Sequence, residues 1–252
     1  MPAVSGPLRR LIVNADDLGY DPAVSEGIVL AMRSGVVTSA TLMVNLPHSE
    51  HGATVARGLP VGLHLNLSRG APLSSGFPAA LLKEGAFDET LVGSLPAQVV
   101  AAEAEAQLAR AEELLGAPPT HVDVHRHLHV VAAVLDALCR IAAARKLPVR
   151  ALDGRMRTEL RHGGVRTTDH FVGEAVNEAY WTEQRFTGTV ATLEDGTTEL
   201  MCHPGYPPRE TRTSYALQRA VELATLTSAT ARRAVDEAGV ALGSFADLAR
   251  GW

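Results

Sequence analysis

The alternation of short apolar runs with longer amphipathic stretches is the feature that most constrains the fold of this chain. Apolar residues dominate 11–13 and 36–44, and the amphipathic stretch 22–34 lies between them. Asp21 suits the N-cap of a helix there, Pro22 its first position and Gly35 its end. Repeated strand–helix units of this kind predict a parallel sheet with helices packed against it.

The same alternation continues along the rest of the chain. Because α/β barrels commonly reach about 250 residues as one domain, we expect a single α/β domain over residues 1–252. An irregular or closed barrel and an open doubly wound sheet both fit this periodicity. Further strands are predicted at 61–67, 120–125, 148–152 and 198–202, further helices at 97–115, 130–145, 215–226 and 229–238, and long loops at 68–88 and 153–170.

Composition excludes several classes of protein. The 23 Lys+Arg against 28 Asp+Glu give a net charge of −5, so we expect no nucleic-acid partner. No apolar run approaches the ~18 residues of a membrane span, and the first residues lack a signal-peptide pattern. We therefore expect no membrane insertion and a cytoplasmic location. The two cysteines have no zinc-binding spacing and cannot form a disulfide framework.

Two adjacent carboxylates follow the first predicted strand directly. Asp16 and Asp17 stand at its C-terminal end, where ligand-binding and catalytic groups collect in parallel α/β folds. A role in capping the next helix does not explain Asp16 and Asp17, because Asp21 already suits the N-cap position. Neighbouring carboxylates at the edge of a core repel each other unless a cation or a shared proton intervenes. The pair therefore indicates a functional site.

Two further segments place histidines on predicted strands. Residues 61–68 alternate, with His64 on the polar face, which indicates either a lined cavity or a hydrogen-bonded core histidine. In the segment 120–129, every second position from 121 onward carries a histidine or aspartate: His121, Asp123, His125, His127 and His129. We expect only the first part to be strand and the chain then to turn, so that not all four histidines reach one point. The alternative is a solvated edge strand.

One carboxylate and two imidazoles from three strand ends would make a site for a divalent metal. Such ligands suit zinc, and mixed nitrogen and oxygen sets also accept iron, manganese or nickel. A second carboxylate would serve as the base that deprotonates water. The Asp16–Asp17 pair therefore supplies one carboxylate to ligate the metal and one to act as the base. His203, which precedes Pro-Gly, is a candidate acid for a leaving amine or simply part of a turn.

Five motifs in order resemble those of the YdjC-like (ChbG/HpnK) carbohydrate deacetylase family. The likeness extends over residues 11–248, with Leu18 where the family usually has phenylalanine and Val124 where it usually has serine. Val124 lies on the opposite strand face from His125, so we expect little effect on metal ligation. The motifs are VNADDLG at 13–19, VTSAT at 37–41, GLHL at 62–65, THVDVH at 120–125 and HPG at 203–205.

The resemblance implies an irregular, TIM-barrel-like (β/α) barrel that removes acetyl from an N-acetylated sugar by attack of a metal-activated water. An N-acetylglucosamine-type mono- or oligosaccharide or a glycoconjugate is the implied substrate, and a homodimer is the implied assembly. By motif position, Asp17, His64 and His125 resemble the ligands of one divalent ion and Asp16 the general base. His203 resembles the residue that protonates the amine or binds the intermediate. Zinc or magnesium is the expected ion, and manganese, nickel or cobalt also fit.

Several alternatives remain open. Arg150 and Tyr206 are candidate sugar contacts, although a surface salt bridge or simple packing explains each equally well. Another mono- or dinuclear metal-dependent barrel hydrolase would use more of Asp123, His127 and His129 as ligands. A catalytically silent sugar- or metal-binding protein has no evident need for a second carboxylate beside the ligand.

Overall fold

The fold is built on one parallel sheet, seen here in a computed structural model that describes residues 9–175 and 177–252. Within these residues the strand order is β4-β3-β2-β1-β6-β5, β7 also pairs with β1, and every pairing is parallel. The sheet curls into a half-barrel, which confirms the α/β class and the irregular barrel. The strands are β1 (Arg9–Leu18), β2 (Ser39–Leu42), β3 (Val61–Leu65), β4 (Val122–Val124), β5 (His170–Val172), β6 (Gly196–Cys202) and β7 (Ala241–Leu242).

The helices of the described residues surround this sheet. The two helices with the clearest end signals, α1 (Pro22–Ser34) and α3 (Ala97–Leu115), begin and end where the sequence predicts. The Asp21 side chain accepts a hydrogen bond from the Ala23 N–H before α1, and Gly116 ends α3 in a left-handed conformation. The helices are α1 (Pro22–Ser34), α2 (Ser49–Val55), α3 (Ala97–Leu115), α4 (Ala132–Arg145), α5 (Gly154–His162), α6 (Glu183–Ala191), α7 (Leu217–Leu226), α8 (Ala229–Glu237) and α9 (Phe245–Ala249). None of these helices is long and apolar enough to cross a membrane.

Two predicted segments differ from the structure. The predicted loop at 153–170 contains α5, whose N-terminus is capped by Asp153. Only Met156 and Leu160 of that helix are buried, so its sequence carries too few apolar residues for a helical period to show. The predicted strand at 148–152 forms only an isolated bridge between Val149 and Val122.

The direction of the strands decides where the site forms. Because all pairings are parallel, the C-terminal ends of the strands meet at one edge of the sheet. Residue His64 of β3 lies in register with Asp123 of β4. The polar residues at the ends of β1, β3 and β4, and His203 after β6, therefore come together above a core of aliphatic side chains.

Candidate active site

A cavity of about 880 Å³ opens at this edge of the sheet. All five residues that the resemblance assigns to metal ligation or proton transfer line it: Asp16, Asp17, His64, His125 and His203. The cavity walls also include a group of aromatic and basic side chains. These are Tyr20, Arg69, Arg126, His127, Phe171, Tyr180, Tyr215 and Arg219.

Both carboxylates of the Asp16–Asp17 pair reach the cavity because the end of β1 is irregular. Adjacent residues of a regular strand face opposite sides of the sheet. Here the register with β2 shifts between Ala15 and Leu18, and Asp17 has a φ of 73°. Left-handed backbone is uncommon for a residue other than glycine, and such conformations cluster at functional sites. The irregularity therefore turns two neighbouring carboxylates to the same side.

Asp17, His64 and His125 form a group suited to one divalent cation. Asp17 Oδ1 lies 3.4 Å from His64 Nε2 and 3.9 Å from His125 Nε2. This oxygen is buried and has no hydrogen-bond partner among the residues that the structure describes. Burying a carboxylate oxygen without a donor is unfavourable, and a carboxylate with two imidazoles is a donor set typical of zinc. The residues therefore fit the metal that the resemblance implies.

The other nitrogen of each imidazole has its own partner. His64 Nδ1 is 2.5 Å from Asp123 Oδ1, and His125 Nδ1 is 2.6 Å from Ser68 Oγ. Partners of this kind fix the ring orientation and leave Nε2 free for a metal. In the sequence, Asp123 alternates in step with His125, and Ser68 alternates in step with His64, which places each on a polar face without predicting these contacts.

The ionisation of the two imidazoles differs. Burial by itself lowers the pKa of His64, but the Asp123 carboxylate outweighs it and raises that pKa to about 10. Burial lowers the pKa of His125 to about 3, against a smaller opposing effect of Asp17. In the metal-free protein at neutral pH, His64 is therefore protonated and His125 is neutral.

Asp16 is held by Arg150. The guanidinium donates from Nη1 and Nη2 to the two carboxylate oxygens, each at 2.7 Å, and Asn14 Nδ2 donates to Oδ1 at 2.9 Å. Burial raises the pKa of Asp16, but Arg150 overrides this effect and holds that pKa well below its usual range. Asp16 is therefore an anion at neutral pH, and it lies at the cavity wall.

Arg150 and Tyr206, the two candidate sugar contacts, are not among the described residues that line the cavity. Arg150 is completely buried behind Asp16, and it also contacts Asp123 at 2.9 Å and Glu199 at 2.7 Å. Tyr206 is 39% exposed on the outer surface. The structure thus places Arg150 under the site and Tyr206 outside it.

His203 lies on the cavity wall. Its backbone N–H donates to Glu222 Oε2 at 2.6 Å, and its ring packs edge-on against Tyr215. Its Nδ1 has no hydrogen-bond partner within the described parts of the chain. This nitrogen is buried, while the ring itself lines the cavity.

The remaining histidines of the 120–129 segment separate as expected. Strand β4 ends at Val124, and the chain turns through left-handed residues Arg126 and His127. His121 stacks on Phe245 in the core, with ring centroids 3.8 Å apart, and His129 is also fully buried. In a second group of possible ligand atoms, on Asp16, His64 and Asp123, both carboxylates already contact the Arg150 guanidinium.

Comparisons with known proteins show which family the chain belongs to. The model of the YdjC-like protein family matches residues 10–237. The chain is 38% identical to a carbohydrate deacetylase of Geobacillus stearothermophilus, over 95% of this chain and 98% of the relative. It is 35% identical to a chitooligosaccharide deacetylase of Serratia marcescens, over 95% and 99%.

One solved structure is similar to this chain over nearly the whole length of both proteins. It is an Enterococcus faecalis V583 protein provisionally described as a cellobiose-phosphate cleavage protein, with a TM-score of 0.85 and 25% identity over 96% of this chain and 99% of that chain. A deacetylase relative also occurs in Homo sapiens, 33% identical over 97% of this chain and 93% of the relative. This chain therefore belongs to the YdjC-like family of carbohydrate deacetylases.

Proposed function

We propose that this chain is a metal-dependent carbohydrate deacetylase that hydrolyses the acetamide of an N-acetylated sugar. The observation that carries the proposal is the convergence of Asp17 Oδ1, His64 Nε2 and His125 Nε2 beside the Asp16–Arg150 pair within one cavity. The relatives named as carbohydrate and chitooligosaccharide deacetylases support this substrate class.

Asp17, His64 and His125 would hold one divalent ion. Such an ion, when bound, polarises the amide carbonyl and makes water more acidic. Two imidazoles favour zinc, cobalt or nickel over magnesium, which prefers a shell of oxygen ligands. A single ion is supported because the Arg150 guanidinium already neutralises the other carboxylate cluster.

Asp16 and His203 carry the proton transfers in this proposal. Asp16 accepts a proton from the water whose oxygen bonds to the acetyl carbon. Oδ1 accepts from both Arg150 and Asn14, whereas Oδ2 accepts only from Arg150 and keeps a lone pair for this proton. The C–N bond then breaks, the nitrogen takes a proton from His203, and the products are acetate and a free amine. His203 suits this role because its ring lines the same cavity as Asp16 and Asp17.

The cavity supports a sugar as the bound molecule. Tyr20, Phe171, Tyr180 and Tyr215 line it, and aromatic side chains pack against the apolar face of a sugar ring. The volume of about 880 Å³ exceeds what one sugar ring fills and suits a short oligosaccharide.

Metal removal and reconstitution test the proposal. Chelated protein is reconstituted singly with zinc, cobalt, nickel, manganese or magnesium, and amine release is measured from N-acetylglucosamine and short chito-oligosaccharides. We expect release that requires about one ion per chain. Circular dichroism of the chelated protein controls for unfolding. Two ions per chain, or release that chelation does not reduce, would contradict the proposal.

The homodimer that the resemblance implies is a separate proposal. Light scattering coupled to size exclusion tests it, since a monomeric mass at micromolar concentration would contradict it.

A further inference from the structure

Asp17 is held from two sides. Its Oδ1 faces the two imidazoles, and its Oδ2 accepts a hydrogen bond from Arg219 Nη2 at 2.5 Å. Asp17 is 4% exposed and Arg219 is 3% exposed, so solvent barely screens this pair. Burial raises the pKa of Asp17, but Arg219 more than offsets it and keeps that pKa well below its usual range.

The Arg219 side chain is itself fixed by its surroundings. It projects from α7, and its Nε donates to the Tyr215 carbonyl at 3.0 Å. The guanidinium carbon lies 5.6 Å from the ring centre of Tyr20 and 5.9 Å from that of Tyr215. Two aromatic rings and a backbone carbonyl therefore hold the donor in place before any cation binds.

The carboxylate of Asp17 depends on this donor for its orientation. The last torsion of an aspartate is broad, so backbone geometry alone does not decide which oxygen faces the imidazoles. A carboxylate with both oxygens free ligates a cation through one or both of them. With Oδ2 committed to Arg219, only Oδ1 is left to face His64 and His125.

We propose that Arg219 is a positioning residue that restricts Asp17 to ligation through Oδ1 alone. The inference depends on the metal centre proposed above. Ligation through both oxygens takes up one more coordination position, and catalytic sites need open positions for water and substrate. The Arg219 charge also draws electron density from the carboxylate, which leaves a bound cation more electrophilic.

Cobalt is the probe that tests this inference, because its visible absorption weakens as its coordination number rises. Wild-type protein and R219Q are each loaded with Co²⁺ after chelation. We expect about one cobalt per chain in both, weaker visible bands in R219Q, and a fall in kcat of about tenfold or more with a nearly unchanged KM. R219K, which keeps a cation near Oδ2, is expected to lie closer to wild type in both readouts.

The matched control is R145Q, which removes an arginine that pairs with Glu105 and Glu112 far from the cavity. We expect it to leave the cobalt spectrum and kcat unchanged. A wild-type cobalt spectrum in R219Q would overturn the inference while leaving the metal centre intact. If R219Q does not fold, a wild-type spectrum in R219K together with a tenfold loss of kcat would overturn it. Failure of wild-type protein to bind cobalt would instead overturn the metal centre, and the inference with it.

Discussion

Arg150 binds both carboxylate oxygens of Asp16 through its two terminal nitrogens, each at 2.7 Å. The same guanidinium contacts Asp123 Oδ2 at 2.9 Å, and Asp123 Oδ1 holds His64 Nδ1 at 2.5 Å. One buried cation thus connects the proposed base to a proposed metal ligand. The orientation of both depends on Arg150.

Replacing Asp16 with asparagine separates catalysis from metal binding. D16N should retain about one metal per chain and lose about 10²–10⁴-fold in kcat, since the amide is not a base. Metal content by mass spectrometry and amine release measure the two effects. An undiminished kcat would remove the assignment of Asp16 as base.

His125→Ala is the matching ligand variant. Its imidazole Nε2 is one of the three converging ligand atoms. We expect H125A to lose both stoichiometric metal and amine release, in contrast to D16N. Full metal occupancy after dialysis of H125A would show that His125 is not a ligand.

Asp123→Asn tests the support of His64. Loss of the carboxylate at Nδ1 should weaken metal affinity about 10–100-fold, the usual effect of removing such a partner. Competition with a chelator of known affinity measures it. Asp136→Asn, on the exposed face of α4, is the control and should leave the affinity unchanged. Equal affinities in D123N and wild type would contradict the prediction.

Arg150→Ala tests the buried charge cluster as a source of stability. It leaves three buried carboxylates without their cation, and we expect a loss of about 3–5 kcal/mol in the free energy of unfolding. Arg140→Ala breaks an exposed pair with Asp136 and should cost about 0–1 kcal/mol. Urea denaturation compares the two. Equal losses would show that Arg150 has no special role in stability.

Metal binding should release a proton at neutral pH. The pKa of His64 is raised to about 10, so this imidazole is protonated in the metal-free protein and must lose a proton before Nε2 binds an ion. Apparent affinity should therefore rise about tenfold per pH unit between pH 7 and 9. Calorimetry in two buffers of different ionisation enthalpy counts the protons, and zero released would contradict this.

His64 also makes the stability of the metal-free protein depend on pH. This stability should fall as the pH rises, whereas the metal affinity should increase. A folded pKa of about 10 lies above the ordinary value of 6.5, so the folded state binds the proton more tightly. This stabilisation is complete below pH 6.5 and is lost as the pH rises through about 10. Urea midpoints of chelated protein across this range measure it, and a midpoint that does not fall would contradict it.

The sequence predicted the parts of the fold and site that depend on local signals. Helix α1 is bounded by Asp21 and Gly35, and the alternation in β3 placed His64 on a polar face. The family motifs supplied the identity of the proposed ligands, and the structure brings those three side chains together.

The partners of these residues could not be predicted, because they depend on long-range packing. Asp123 meets His64 only through the register of β3 with β4, and Arg219 reaches Asp17 from a helix about two hundred residues away. Arg150 was a candidate sugar contact, a role that requires an accessible side chain. Its side chain instead points inward, where three carboxylates offset the cost of burying a guanidinium.

A crystal of the zinc-loaded protein, measured at the zinc absorption edge, tests the central claim most directly. The account predicts one anomalous peak about 2.0–2.2 Å from Asp17 Oδ1, His64 Nε2 and His125 Nε2. A map with no peak among these three atoms, or with a second peak of equal height beside Asp123, would contradict it.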